Sequence, residues 1–311
     1  MYPEHFNNDA LHSLKELELQ TRKYKDSSGL SAFQALLEKL RTGDLTSVFR
    51  ALILRTLGLE SGKHARQPIS YEPEDYVSDR RIAVFIAMFG GYDTVRDPLV
   101  FPDNVDYYLI TDSNTGVKKW NLLDPSGLLP EELTSPAEKN RWCRMHPHLI
   151  FPDHDVSIYV DSSTLITSDL TPLTKDLSVF PVQLFAHKDR DCVYQELTAC
   201  GIKGKMPSRA AEQQKRYLSG LGVPHHSGLL ETPVVVQDLH SAEAARVAET
   251  WWEEYLRFPY RDQPALVSAL WKLGIAPEQA SMLGTDLRNC DLFVRLPHGL
   301  TENISLNGGE P

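Results

Sequence analysis

Asp161 ends a short apolar run, Ser157-Ile-Tyr-Val160, and is followed by Ser162 and Ser163. A carboxylate and two hydroxyls at a strand end offer hard oxygen ligands to Mg²⁺ or Mn²⁺ holding a diphosphate. The same residue types also cap helices and turns. His240, at the end of Val234-Val-Val-Gln-Asp-Leu-His240, could complete a metal site. Phe89-Gly90-Gly91-Tyr92-Asp93 directly follows another apolar run. Glycines there let backbone approach a ligand, and Tyr92 could stack on a base; the G-x-G-x-x-G dinucleotide fingerprint is absent.

Lys139, Asn140, Arg141 and Arg144 form a basic cluster just before the Asp161 run. In an acidic protein such a cluster suits a diphosphate clamp, or else a surface helix paired with Glu138. His187, Arg190 and Glu196 lie within ten residues and could hold a polar substrate or a phosphate, while Lys188 and Asp189 read as a solvated pair. Arg261-Asp262-Gln263 opens a further helix. A carboxylate there is ordinarily a cap with a depressed pKa; in a sugar pocket it could be a general base. The remaining histidines, including His146, His148, His154, His225 and His226, lack zinc-hydrolase or zinc-finger spacing.

The elements that must carry these residues are legible as alternating strands and helices. RIAVFIAMFGG (81–91) reads as a buried strand and tight loop, followed by strands at Asp106–Thr111, Ser157–Val160, Val182–Ala186 and Pro233–Gln237. Helical spacing runs through Pro136–Leu149 and about 190–221, 241–256 and 262–273. Alternation of this kind predicts an α/β layer architecture with a mainly parallel sheet. Ligands in such sheets bind beyond the carboxyl ends of the strands, which is where Phe89–Asp93, Asp161 and His187 fall. Residues 1–68 differ: leucine-rich helical periodicity, including Leu45–Leu59 with Arg50 and Arg55, and no strand signal.

The 311 residues carry 32 Lys+Arg against 42 Asp+Glu, a net charge of −10. That balance argues against a general nucleic-acid binder. Residues 1–68 hold 10 Lys+Arg and 8 Asp+Glu, so the other 243 residues hold 22 against 34 and carry the acidic excess. Cys143, Cys192, Cys200 and Cys290 form no C-x-x-C pair and are expected to be reduced and mostly buried. No signal peptide and no apolar stretch of about 18 residues is visible, so a cytoplasmic protein without a transmembrane segment is expected.

In combination, FGGYD (89–93), YLITD (108–112), KNRWCRMHPHLIFPDHDVSIYVDSS (139–163), HKDRDCVYQE (187–196), GVPHHSGLLET (222–232) and WWEEYLRFPYRDQ (251–263) resemble the TOD/MUCI-type glycosyltransferase-like domain, over about residues 80–285. That family looks like a GT-A enzyme of plant cell walls and bacterial surface-polysaccharide loci. The resemblance implies a GT-A-like Rossmann-type sandwich with a mainly parallel central sheet over 81–300. Around it lie an N-terminal helical extension (1–68), a linker (69–80) and a flexible tail (301–311). It implies transfer of a sugar, as from a UDP-hexose, to an oligosaccharide or lipid-linked glycan acceptor in capsule or surface-polysaccharide assembly. Phe89, Gly90, Gly91, Tyr92, Asp93 and Asp112 would contact the nucleotide. Lys139 and Arg141 would face the diphosphate, with Arg190 and Gln263 supporting the sugar. Asp161, Ser163 and His240 would hold Mn²⁺ or Mg²⁺, and Asp262, Glu196 and His187 would be catalytic. The family usually has Asp-Gly-Asn where this chain has Asp161-Ser162-Ser163, which puts the metal in doubt. A non-catalytic carbohydrate-binding or scaffold protein is the alternative, and an amide or lipid hydrolase ranks lower because no G-x-S-x-G elbow is present. Residues 1–68 are expected to pack as a cap or homodimer contact, or to meet a partner enzyme or the inner face of an anionic membrane.

Overall fold

The computed structural model describes residues 78–296, together with Thr56 alone from the N-terminal part. The expected helices of 1–68, residues 69–77 of the linker and the tail 301–311 lie outside the described residues, as does any membrane or partner contact they would make.

The first strand, β1 (Ile82–Met88), is buried at every position, as a central strand covered on both faces must be. It is followed by β2 (Val105–Thr111) and the short β3 (Asn121–Leu123). Helix α1 (Pro136–Met145) starts at a capping box: the Ser135 hydroxyl accepts from the Glu138 amide and the Glu138 side chain reaches back. The expected continuation to Leu149 breaks at Pro147, which begins the one-turn α2 (Pro147–Ile150). Then come β4 (Val156–Val160), β5 (Thr164–Ile166), a 3₁₀ segment at Thr171–Ser178 and β6 (Val182–Ala186).

The long helix expected over 190–221 is two helices, α3 (Val193–Ile202) and α4 (Ser208–Gly220). Gly204 takes a left-handed turn at φ 70, and Pro207 bars its predecessor from helical geometry. β7 (Leu230–Asp238) and the helices α5 (Ala242–Arg257) and α6 (Asp262–Leu273) follow, and β8 (Phe293–Arg295) closes the described chain.

The main sheet has the order β3-β2-β1-β4-β7-β6. β1 pairs parallel to β2 and β4, and β2 parallel to β3. β7 runs antiparallel to both β4 and β6, so it starts at the edge where the others end. The architecture is therefore mixed α/β with a mostly parallel sheet, as the alternating pattern predicts. A second, small sheet pairs β5 with β8.

Alternate residues of β1 face two cores. Ala83, Phe85 and Ala87 pack with Trp142, Trp251, Tyr255, Leu266 and Leu270 beneath α1, α5 and α6. Ile82, Val84 and Ile86 pack with Leu173, Leu177, Leu287 and Phe293 on the other side. Among the described residues no helix is long and apolar enough to cross a membrane.

Candidate active site

The chain leaves β1 for β2 and β3 on one side and returns to β4 on the other. That reversal opens a crevice at the carboxyl ends of β1 and β4, the usual ligand position in an open sheet. Phe89–Asp93 leave β1 there, Asp112 follows β2, Asp161 follows β4, and His187 follows β6. Because β7 runs the other way, its first residues, Leu230–Thr232, lie on the same edge.

Gly90 and Gly91 have φ of 68 and 61, which only glycine adopts freely. The Gly90 amide donates to Asp112 Oδ1 at 2.9 Å, joining the β1 and β2 ends. Asp93 Oδ2 accepts from the Ser162 hydroxyl at 3.2 Å, joining β1 to β4. Tyr92 is 72% exposed and Phe89 is buried. The Lys139 ammonium stands 6.0 Å from the Phe89 ring centre.

The centre of the site is Arg144, which is only 4% exposed. On α1 it sits one turn beyond Asn140, so both reach inward. Its Nη2 donates to Asp161 Oδ1 at 2.9 Å and to the Tyr159 hydroxyl at 2.8 Å. Its Nη1 donates to Asp262 Oδ2 in a very short contact. Tyr159 also donates to Asp161 Oδ1 at 2.8 Å, and Asn140 Nδ2 donates to the Ala87 carbonyl at 2.6 Å. Thr232 on β7 donates to Asp262 Oδ2 at 3.0 Å. Trp251 Nε1 holds the Asp262 carbonyl at 2.8 Å. One guanidinium thus ties α1, β4 and the start of α6 together, and Asp262 extends the link to β7.

The titrations follow from this packing. Burial pushes the Asp262 carboxyl up, but Arg144, Arg141 and Arg261 outweigh it and hold it well below the usual carboxylate range. Burial raises Glu196 as well, and Arg190 and His187 reverse that to a net lowering. A general base works best with a pKa near the working pH. Both groups are instead fixed anions: Asp262 anchors Arg144, and Glu196 accepts from Arg190 Nε at 2.7 Å and from Cys200 Sγ at 3.1 Å. His187 Nδ1 accepts from the Asp189 and Arg190 amides at 3.1 and 3.2 Å. Its proton therefore sits on Nε2, which is 3.7 Å from Glu196 Oε2. Burial keeps the ring neutral, with its pKa pushed down to about 4. The three residues expected to be catalytic are gathered on one edge, but their acid–base chemistry is spent on holding neighbouring cations and backbone.

Gln263 is likewise committed, accepting from Arg261 Nη2 at 3.0 Å and donating to the Leu230 carbonyl at 3.3 Å. Arg141 Nε is buried without a partner, and its Nη1 makes only a 3.5 Å contact to Asn140.

The expected metal set does not come together. Asp161 Oδ1 is taken by Arg144 and Tyr159, and Oδ2 lies 3.6 Å from Arg295 Nη1. The Ser163 hydroxyl is buried with no partner. His240 pairs with Asp155 at 3.3 Å, before the first residue of β4. A strand advances about 3.3 Å per residue, so Asp155 and Asp161 are roughly 20 Å apart. The antiparallel register, Val156 opposite Asp238 and Val160 opposite Val234, carries His240 to the wrong end of the sheet. Among the described residues no three His, Cys, Asp or Glu side chains are grouped to hold a metal ion. These residues do not fit a protein-held divalent cation.

Tyr159 and Thr232 carry no site expectation from the sequence, and Arg144, expected only as one member of the basic cluster, stands at the centre. The Asn140–Arg144 spacing was a usable signal for Arg144, since it places two polar side chains on one face of a helix that also buries Trp142 and Cys143. Nothing local marks Thr232, whose role depends on the reversed direction of β7.

No protein-family model matches the chain, and no curated protein matches it. Similar solved structures include the bifunctional glycosyltransferase WbbM, at 14% identity and TM-score 0.36, over 70% of this chain and 40% of that chain. The galactosyltransferase LgtC, solved with donor and acceptor sugar analogues, is 13% identical at TM-score 0.35, over 62% and 72%. Mouse xyloside xylosyltransferase 1 is 9% identical at TM-score 0.38, over 62% and 81%. This chain therefore spans well under half the length of WbbM.

Proposed function

We propose that the protein is a GT-A-type glycosyltransferase that takes a sugar from a nucleotide-diphosphate donor, such as a UDP-hexose, to a glycan acceptor. The observation that carries this reading is the cationic crevice at the β1/β4 reversal. There Arg141, Arg144 and Arg295 converge on the single carboxylate of Asp161 and the more deeply buried Asp262, and Lys139 stands over the Phe89 ring. The sequence resemblance supports the same reading. Setting bacterial surface-polysaccharide assembly as the context rests on that resemblance alone.

In this reading Gly90, Gly91 and the exposed Tyr92 receive the nucleoside, and Asp112 holds the Gly90 loop in shape. Cleavage of the bond between the anomeric carbon and the diphosphate leaves negative charge on the leaving group. Fixed guanidinium and ammonium groups stabilise that charge without reorganising. Asp262 and Asp161 keep Arg144 oriented for it, which makes them positioning residues. The withdrawal of Asp262, Glu196 and His187 from base duty favours, as a second reading, a carbohydrate-binding or scaffold protein that keeps the fold.

Calorimetric titration of the full chain with UDP and UDP-glucose, with and without Mn²⁺, tests the donor reading. Binding is expected in both conditions, weakened at least tenfold in Asp262→Asn, which leaves Arg144 Nη1 without its anionic partner. No binding of either compound in either condition overturns the reading. Binding with no release of sugar in the presence of any acceptor or water moves the protein to the second reading.

A further inference from the structure

β7 opens, at the carboxyl edge of β4, with a carboxylate that the Arg144 network leaves out. Five acidic side chains are buried among the described residues: Glu196, Glu231, Glu254, Asp262 and Asp286. Four of them hold a cation: Asp262 pairs with Arg144, Glu196 with Arg190, Glu254 with Lys272 and Asp286 with Arg288. Glu231 is only 8% exposed, yet it forms no ion pair among the described residues. Its Oε1 accepts from the Lys188 amide at 3.2 Å, and its Oε2 accepts from no donor among them.

The backbone around Glu231 is anchored to the site on both sides. Gln263 donates to the Leu230 carbonyl at 3.3 Å, and Thr232 donates to Asp262 at 3.0 Å. The Asp161 amide donates to the Pro233 carbonyl at 2.8 Å. Glu231 therefore sits one strand step, about 3.3 Å, from the residue that holds Asp262. β7 also bulges here: Leu184 of β6 pairs with Val235, but the next residue, Phe185, pairs with Glu231. Bulges gather beside active sites, where they re-aim a side chain. With Thr232 turned to Asp262, Glu231 faces the other side of the strand, away from the Arg144 guanidinium.

The groups that face it there are Lys188, from the end of β6, and Asp286 and Arg288, from the turn at Leu287–Asn289. Burial and then Asp286 push its carboxyl up, and Arg288 and Lys188 do not offset them. Asp262, one residue from Glu231 through Thr232, is held as a fixed anion. Two neighbouring carboxyls driven apart in proton affinity are the usual mark of an acid–base assignment.

We propose that Glu231 is the catalytic base of the sugar transfer. This rests on the transferase reading. The acceptor hydroxyl oxygen bonds to the anomeric carbon, and the bond from that carbon to the diphosphate breaks, its electron pair leaving on the diphosphate oxygen. The hydroxyl proton passes to Glu231 Oε2.

The test uses the full chain with Glu231→Gln and Glu231→Asp. The Gln side chain keeps the shape and an oxygen for the Lys188 amide, so its melting temperature is expected to stay near that of the wild-type chain. UDP-glucose binding is read by calorimetry, and kcat by release of UDP from UDP-glucose, to water and to methyl glucoside. Glu231→Gln is expected to bind UDP-glucose unchanged and to lose about 100-fold or more in kcat, the contribution of a general base. Glu231→Asp should keep part of the rate. In the wild-type chain kcat should rise with pH as Glu231 gives up its proton, at a midpoint above the ordinary carboxylate range, and Glu231→Gln should lack that limb. An undiminished kcat in Glu231→Gln, or an acid limb that persists in it, overturns the assignment while the donor reading stands on its binding result. A wild-type chain that binds UDP-glucose but never releases UDP overturns it too. Absence of UDP-glucose binding removes the transferase reading itself, and the catalytic role with it.

Discussion

His187 shows how a residue read from sequence as a catalyst becomes a structural element with its own pH signature. Two backbone amides use its Nδ1, and burial pushes its pKa down to about 4, against the pull of Glu196. The unfolded imidazole titrates near 6.5, so the unfolded chain binds the proton first as the pH falls. The stabilisation is full above pH ~6.5 and is lost progressively as the pH falls towards 4. By pH 5 the loss is about 2 kcal/mol, at 1.36 kcal/mol per unit. In His187→Asn, whose side-chain oxygen can still accept from the amides, urea unfolding should show a loss between pH 7.5 and pH 5 smaller by about that amount. The buried His146 and the half-buried His148 also have lowered pKa values, so a residual slope remains. Equal losses in the two proteins would refute the assignment. Asp262 and Glu196 run the other way: their carboxyls are held low by arginines, so their contribution is present above the carboxylate range and lost only in acid.

At the scale of elements, the glycine loop after β1 is the sharpest case. Gly90 has φ 68, and a Cβ there would meet Pro136 Cγ at 3.3 Å, where α1 begins. At Gly91, with φ 61, a Cβ would meet nothing within 4 Å. Left-handed backbone costs a side-chain-bearing residue about 1–2 kcal/mol, and Asn tolerates it best. Gly90→Val is therefore expected to lower the melting temperature clearly more than Gly91→Asn. It should also weaken UDP-glucose binding, because the displaced amide no longer meets Asp112. Similar effects of the two substitutions would show that the loop does not depend on its contact with α1. The breaks in the helices belong to this scale as well. Pro147 and Pro207 were visible in the sequence, yet periodicity on either side read as one helix, because neighbouring turns bury apolar residues on a shared face.

At the scale of the whole molecule, the sheet and both cores seen among the described residues are built from residues 82–293. A chain lacking residues 1–68 is accordingly expected to unfold cooperatively and to keep its affinity for UDP-glucose. Circular dichroism on heating and calorimetry check this. A truncated chain without a cooperative transition would mean that the N-terminal residues complete the fold. Co-sedimentation of the full and truncated chains with anionic vesicles tests the proposed membrane contact on the same pair of proteins. Local charge and total charge diverge here as well. The chain is acidic overall, but the crevice gathers arginines from α1, the start of α6 and β8, three segments far apart in sequence.

Apolar periodicity determined the strands that carry the site. β1 is a continuous apolar run and β4 a short one, and burying them forces a sheet whose carboxyl edge collects Phe89–Asp93, Asp161 and His187. Which polar groups meet across that edge was a tertiary matter. The direction of β7 sends His240 away from Asp161 and brings Thr232 to Asp262, and no local pattern encodes strand direction. The fold of α1 over the sheet then makes Arg144 the shared partner of Asp161 and Asp262. A buried carboxylate takes the nearest guanidinium whatever their distance in the chain, since leaving either charge unpaired away from water costs several kcal/mol.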